Sequence, residues 1–175
     1  MIYVDTSVVL SALDLDDPNH AESWRFLTAT PDSKVISPLT VEELVSVISR
    51  RIEFVRAPDD LEEALVGLSR KERVAAVLLY AIERFGLRKA APDYSMRLSL
   101  LEIRLPGPYA VAAVLGPQLQ LRSLDLLHVA YVSALREGRL PLASIVTLDS
   151  ELLEAGDRVR GLLGVEVSLP KPSDR

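Results

Sequence analysis

The sequence contains no cysteine, which excludes disulfides, thiolate nucleophiles and cysteine-ligated zinc. Histidine is nearly absent as well: His20 and His128 are the only two, so a metal site would have to be built from oxygen. No uninterrupted apolar run approaches the roughly 20 residues of a membrane span. The apolar opening, Ile2 to Leu13, has no basic residue before it and is broken by Asp5, so it resembles neither a secretory signal nor an anchor. A cytoplasmic location with no membrane contact is therefore expected. Positive charge is in deficit too, with 20 Lys and Arg against 25 Asp and Glu, and the net charge of −5 argues against broad affinity for phosphates. A nucleic-acid partner would need a local basic patch. Three stretches could supply one: Arg50, Arg51 and Arg56; Arg70, Lys71 and Arg73; Arg84, Arg88 and Lys89. The bland reading of each is a solvated helix face with interspersed carboxylates.

What is present is the composition of a globular chain, 49% hydrophobic and 26% charged. A length of 175 residues suffices for one well-buried core and is short for two ordinary domains. One domain over 1–170 is expected, elaborated by a helical arm over 58–105 and followed by a flexible tail, 171–175.

The punctuation of the chain alternates strands with helices. A buried strand ends near Val4 and feeds a helix after Asp5 to Ser7. A helix from His20 to Thr30 buries Trp24 and Leu27. Val35 to Ser37 reads as a second strand, and Thr40 offers an N-cap, with Glu43 at capping-box spacing, to a helix reaching about Val55. A longer helix covers Arg70 to Phe85, with Val74, Val77, Leu78 and Ala81 on its apolar side. Ser99 to Leu105 reads as a third strand. A helix follows from Tyr109, ended by Gly116 and Pro117. Ser123 caps a helix from Leu124 to Arg136, Ile145 to Leu148 is a strand, Ser150 to Ala155 a short helix, and Val165 to Ser168 a last strand. Such alternation predicts an α/β fold, a mainly parallel central sheet flanked by helices, with ligands collecting beyond the carboxyl ends of its strands.

Two aspartates fall at those ends, and a third opens a helix. Asp5 follows the first strand, Asp149 follows the strand at Ile145, and Asp125 sits in the first turn of its helix. Taken singly, each is explained by capping or by the helix dipole. Taken together, they could face one crevice, because a parallel sheet brings distant strand ends side by side. Glu42 and Glu43 both lie off the apolar stripe Val41, Leu44, Val45 and Ile48, and periodicity does not choose between them.

In this order and spacing, MIYVDTSVVLSAL, ISPLTVEELVSVISRR, LRSLDLLHVAYVSAL and IVTLD resemble the PIN-domain nucleases, and more narrowly the VapC-type ribonuclease toxins of toxin-antitoxin pairs. The likeness covers most of the chain and is looser from Pro58 to Leu105. It implies a PIN-like three-layer fold and a Mg²⁺ or Mn²⁺ site in which Asp5, Glu43, Asp125 and Asp149 are metal ligands and catalytic acids. Glu43 is chosen over Glu42 on this ground alone. The resemblance also places supporting hydroxyls at Ser7 and Thr147, with capping as their competing role, and at Thr6. His128 matches the motif, but a histidine in an apolar helix is more often packed than ligating, and it is left out of the site. The implied activity is hydrolysis of RNA phosphodiester bonds leaving a 5′-phosphate. The implied partners are an RNA substrate, a second copy of the chain in a homodimer, and a VapB-type antitoxin covering the acidic cleft.

Gathered carboxylates suit such chemistry, since Mg²⁺ and Mn²⁺ prefer oxygen ligands and can bind a substrate phosphate at the same time. Without metal the acids repel, so Asp5→Asn is expected to be tolerated or stabilising in chelator. A haloacid-dehalogenase-like phosphatase would also open on a strand ending in Asp-x-Asp, but Ser7 stands where the second aspartate belongs. The same residues would also suit an RNA-processing PIN nuclease unconnected with a toxin pair, or a catalytically silent PIN-like binding or assembly module.

Overall fold

The computed structural model describes residues 1–51, 58–98 and 103–171. In chain order these form β1 (Ile2–Val4), α1 (Thr6–Leu13), α2 (His20–Ala29), β2 (Lys34–Ile36), α3 (Pro38–Arg51), α4 (Asp59–Leu65), α5 (Arg70–Arg84), β3 (Leu87–Lys89), β4 (Ser95–Leu98), β5 (Ile103–Pro106), α6 (Gly107–Leu119), α7 (Ser123–Glu137), β6 (Ser144–Val146), α8 (Ser150–Glu154), α9 (Gly156–Leu163) and β7 (Glu166–Ser168). The expected continuation of α3 to Val55, the first half of the strand read at Ser99 to Leu105 and the end of the tail lie outside the described residues.

Five strands build a wholly parallel sheet in the order β3-β2-β1-β6-β7. Neighbouring residues on a strand face opposite ways, so each short strand serves two cores. Tyr3, Val35 and Ile145 are in register and point into a core with α6, α7 and α9. Val4, Ile36 and Val146 point into the other, with α1, α2, α3 and α5. Covering both faces is what an all-parallel sheet requires, and it makes the three-layer α/β/α architecture. Strand order reverses direction between β1 and β6, which opens a crevice beyond their carboxyl ends. No helix among the described residues is long and apolar enough to cross a membrane.

Several local readings are corrected. Thr40 is not an N-cap: α3 starts at Pro38, a residue suited to a first helical position, and the Ser37 hydroxyl accepts from the Thr40 N–H at 3.3 Å. Thr40 is instead fully buried. A capping box is present instead at α5, where Ser69 and Glu72 satisfy each other's backbone N–H groups. Gly116 and Pro117 do not end α6, which runs through them to Leu119 and stops at Gln120 in the left-handed region, φ 53°. Proline in a last turn forfeits one backbone bond, and burial of Leu119 anchors that turn. Ser123 is the first residue of α7 rather than its cap, a position taken by Arg122.

The middle of the chain is helical at first, in α4 and α5, and then turns to strands. Leu61, Val77, Ala81, Phe85 and Leu87 join the core beneath α1 and α2. The third strand of the main sheet is β3, not Ser99 to Leu105. The part of that stretch in view is β5, which pairs antiparallel with β4 in a separate two-stranded sheet.

Candidate active site

Asp5 sits where β1 ends, its N–H bonded to the Val146 carbonyl of β6 at 3.0 Å. It occupies the N-cap position of α1, yet its side chain makes no capping bond. One oxygen, Oδ2, accepts from Ser7 Oγ at 2.5 Å and from Thr147 Oγ1 at 2.7 Å. The other, Oδ1, lies 3.1 Å from His128 Nε2. The capping reading therefore fails for Asp5. For Asp149 it holds: Oδ1 accepts from the Leu152 N–H at 3.0 Å and starts α8. Two of the three hydroxyls singled out in the sequence, Ser7 and Thr147, bridge the ends of β1 and β6. Ser7 Oγ accepts from the Leu148 N–H at 3.0 Å, and Thr147 Oγ1 accepts from the Asp149 N–H at 2.9 Å. Thr147 thus touches both aspartates while fully buried. Thr147→Val keeps the shape and leaves the Asp149 N–H without its partner, so a loss of about 1–2 kcal/mol is expected in urea unfolding. An unchanged unfolding midpoint would remove Thr147 from the scaffold.

Glu43 reaches the same point from α3. Its Oε2 accepts from Thr6 Oγ1 at 2.5 Å and lies 2.8 Å from His128 Nε2. Glu42, its neighbour, is exposed and lines the cleft without such partners among the described residues. The resemblance thus chose the glutamate that the fold turns inward.

His128 is the residue the sequence reading undervalued. It is 2% exposed, with Nε2 between Asp5 and Glu43 and Nδ1 bonded to the Tyr3 hydroxyl at 2.8 Å. Tyr3 is fully buried and also contacts Ser37 Oγ at 2.8 Å and Thr40 Oγ1 at 3.2 Å. Burial opposes charging of the imidazole, but the Tyr3 hydroxyl and the Asp5 and Glu43 carboxylates outweigh it and hold its pKa well above 6.5. A cationic His128 thus ties two acids together. The signal for this lay in Tyr3 being polar on an otherwise apolar strand facing an apolar helix, though the pairing spans 125 positions.

Asp125, in the first turn of α7, lines the same cleft. Burial and then the charges of Asp149 and Asp5 raise its pKa to about 6, against a smaller opposing effect of His128. The repulsion expected among the acids therefore falls on Asp125. Asp5 shares a cation, so relief by an asparagine belongs at Asp125 rather than at Asp5. Asp5, Thr6, Ser7, Glu43, Asp125, His128 and Asp149 all line one cleft of about 500 Å³ beyond the sheet's carboxyl edge. Within it, Asp5, Glu43 and His128 present ligand atoms within 4.8 Å of one another, a tighter set than the four acids named from the sequence.

The family model of the PIN domain matches residues 2–158. The chain belongs to the PIN-domain family. Among solved structures this PIN domain is similar to VapBC2 from Rickettsia felis, a complex bound to a DNA fragment from its promoter, at 14% identity and a TM-score of 0.53, covering 95% of this chain and 97% of that one. It is also similar to Mycobacterium tuberculosis VapC20, a toxin that cleaves the sarcin-ricin loop, at 15% identity and a TM-score of 0.54, covering 89% and 95%. At such identity the likeness is one of fold, and it matches the parallel sheet and flanking helices described above. No curated protein matches in sequence. The PIN domain's donor set fits a hard divalent cation: carboxylate oxygens from Asp5, Glu43, Asp125 and Asp149 line one cleft, and no thiolate is available to select a softer metal.

Proposed function

We propose that this PIN domain is a Mg²⁺- or Mn²⁺-dependent endoribonuclease, the toxin half of a VapBC-type pair. The observation that carries the reading is the meeting of Asp5, Glu43, Asp125 and Asp149, from four separate elements, in one cleft at the switch point of the sheet. Local purposes do not account for the convergence: Asp149 also caps α8, but the Asp5 side chain makes no capping bond. A divalent ion, when bound, lowers the pKa of an attacking water and offsets charge on the phosphate.

The chain's own residues prepare that site. Ser7 and Thr147 fix one oxygen of Asp5, and Thr6 fixes one oxygen of Glu43, so both carboxylates are oriented before metal arrives. His128 holds the same pair from below and has its ring fixed by Tyr3, which assigns it a positioning role. Asp125 and Asp149 line the same cleft and would add further carboxylate ligands. The Rickettsia relative is named as a VapBC pair and the Mycobacterium relative as a toxin that cleaves the sarcin-ricin loop, which supports an antitoxin partner and RNA as substrate here; a homodimer is part of the same proposal.

The test is incubation of end-labelled structured RNAs with purified protein in Mg²⁺, Mn²⁺ or EDTA. Discrete cuts with 5′-phosphate ends, present with metal and absent in EDTA, are the expected result; cutting that survives EDTA would overturn the metal-dependent reading. The pH dependence follows from Asp125. A ligand must be deprotonated to bind metal, and its pKa is about 6 in the metal-free protein. Apparent Mn²⁺ affinity is expected to fall about tenfold per pH unit below about 6 and to level off above it. A flat profile from pH 5 to about 7 would separate Asp125 from the metal.

A further inference from the structure

The acidic cleft poses a difficulty for the substrate assigned to it. Asp5, Glu42, Glu43, Asp125 and Asp149 all line it, in a chain whose net charge is already −5. A metal ion would neutralise the phosphate being cut, but the neighbouring phosphates of the same strand would meet uncompensated carboxylates. The described residues lining the cleft include one basic side chain besides His128, and it is Arg50.

Arg50 stands on the same face of α3 as the acid it would complement. Glu43, Ser46, Val47 and Arg50 recur at intervals of three and four and all line the cleft, so one helical stripe leads from the carboxylate cluster outward. The rise of an α-helix puts Arg50 about 10 Å along the axis from Glu43. That is about three nucleotides of a stacked strand, and fewer of an extended one. The position is held: Arg70 of α5 donates from Nη2 and Nε to the Ser49 carbonyl, at 2.6 and 3.2 Å, fixing the last turn of α3. Arg50 itself is exposed and forms no ion pair among the described residues, whereas Arg122, at the start of α7, is committed to Glu151 at 2.7 Å. The bland reading is that Arg50 complements the negative end of the α3 dipole. It accounts for a cation at this point of the helix. It does not account for one that lines the cleft and is unpaired among the described residues.

We infer that Arg50 grips a backbone phosphate of single-stranded RNA, to one side of the bond being cut, and so fixes the direction in which the strand crosses the acids. This rests on the ribonuclease reading. Guanidinium is suited to the task, because its planar fork donates two bonds to one phosphate.

The test uses protein carrying Asp125→Asn, which is expected to bind without cutting, and a fluorescein-labelled form of the RNA that wild type cuts, followed by anisotropy in Mg²⁺ over a range of salt. Adding Arg50→Gln is expected to weaken binding about tenfold and to lower the slope of log affinity against log salt by about 0.7, one single-strand phosphate contact. Arg50→Lys should keep the slope and lose less affinity. In the cleaving protein the Arg50→Gln loss should fall on KM. It should shrink as the RNA is trimmed from one end, and not when it is trimmed from the other. Unchanged affinity and slope in Arg50→Gln, with wild type still cutting, would overturn this inference alone. Failure of wild type to cut any RNA with metal would remove the ribonuclease reading, and this inference with it.

Discussion

Asp125→Asn is expected to abolish cleavage and at the same time to stabilise the metal-free protein. The first effect follows from removing a charged ligand from the proposed site, and a loss of about 10³-fold or more in kcat/KM corresponds to roughly 4 kcal/mol of transition-state stabilisation. The second follows from linkage. The folded-state pKa of Asp125, about 6, lies above its ordinary value of 3.8. Between those two values the native state binds more protons than the unfolded chain, so stability falls as pH rises through that window and stays reduced above it. Asparagine carries no such penalty. In EDTA near pH 7 the variant should unfold a few degrees higher than wild type, about 1 kcal/mol once solvent screening of a half-buried group is allowed for. Below about pH 4 the two should coincide. A variant less stable than wild type at neutral pH would mean that Asp125 is held by favourable contacts, and that the acids do not repel as described.

His128→Leu is expected to act in the opposite direction. It removes the cation between Asp5 and Glu43 and leaves both carboxylates in a site where His128 itself is 2% exposed. Breaking a buried ion pair by deleting one partner costs about 3–5 kcal/mol, which for a chain of this size lowers Tm by about 10 °C. Tyr3→Phe, which keeps the ring and removes the hydroxyl that contacts Nδ1, should cost about 1 kcal/mol. The pH dependence of wild type should show the same cation. A histidine with a raised folded pKa contributes stability that is fully present below about 6.5 and is lost as pH rises through its higher folded value, so the metal-free protein should weaken on the alkaline side. Mn²⁺ should return part of the stability lost in His128→Leu, since a divalent ion can supply the positive charge. Full retention of Tm in His128→Leu without metal would contradict the charged bridge.

The parts of this fold legible in sequence were those written in local pattern. Strands β1, β2, β6 and β7 and helices α2, α3, α5 and α7 declare themselves through apolar periodicity and turn residues. Strand β3 does not, because Leu-Arg-Lys at 87–89 offers a single apolar residue, and its membership of the sheet depends on Leu87 reaching the core beside Phe85. The break expected at Pro117 failed because propensity is local while the burial of Leu119 is tertiary. Spacing also suggested a capping box for Thr40 and Glu43, and the fold turned both side chains to other partners: Thr40 to Tyr3, Glu43 to Thr6 and His128.

The site divides along the same line. Strand ends marked Asp5 and Asp149, and a first helical turn marked Asp125, but each mark was equally a capping signal. Asp149 does cap, and lines the cleft as well. Which glutamate turns inward was undecidable from a helical wheel, because Glu42 and Glu43 both fall off the apolar stripe. The role of His128 was hidden for a different reason. Its partners come from β1, from Asp5 just before α1 and from α3, and no window of sequence contains them together.

The most direct measurement is calorimetric titration of Mn²⁺ into the metal-free protein near neutral pH, alongside Asp5→Asn, Glu43→Gln, Asp125→Asn and Asp149→Asn, with circular dichroism confirming that each is folded. Saturable binding to wild type that weakens about tenfold or more in each folded variant is the expected result. Wild type that takes up no Mn²⁺, or variants that bind it undiminished, would contradict a metal centre built by these acids.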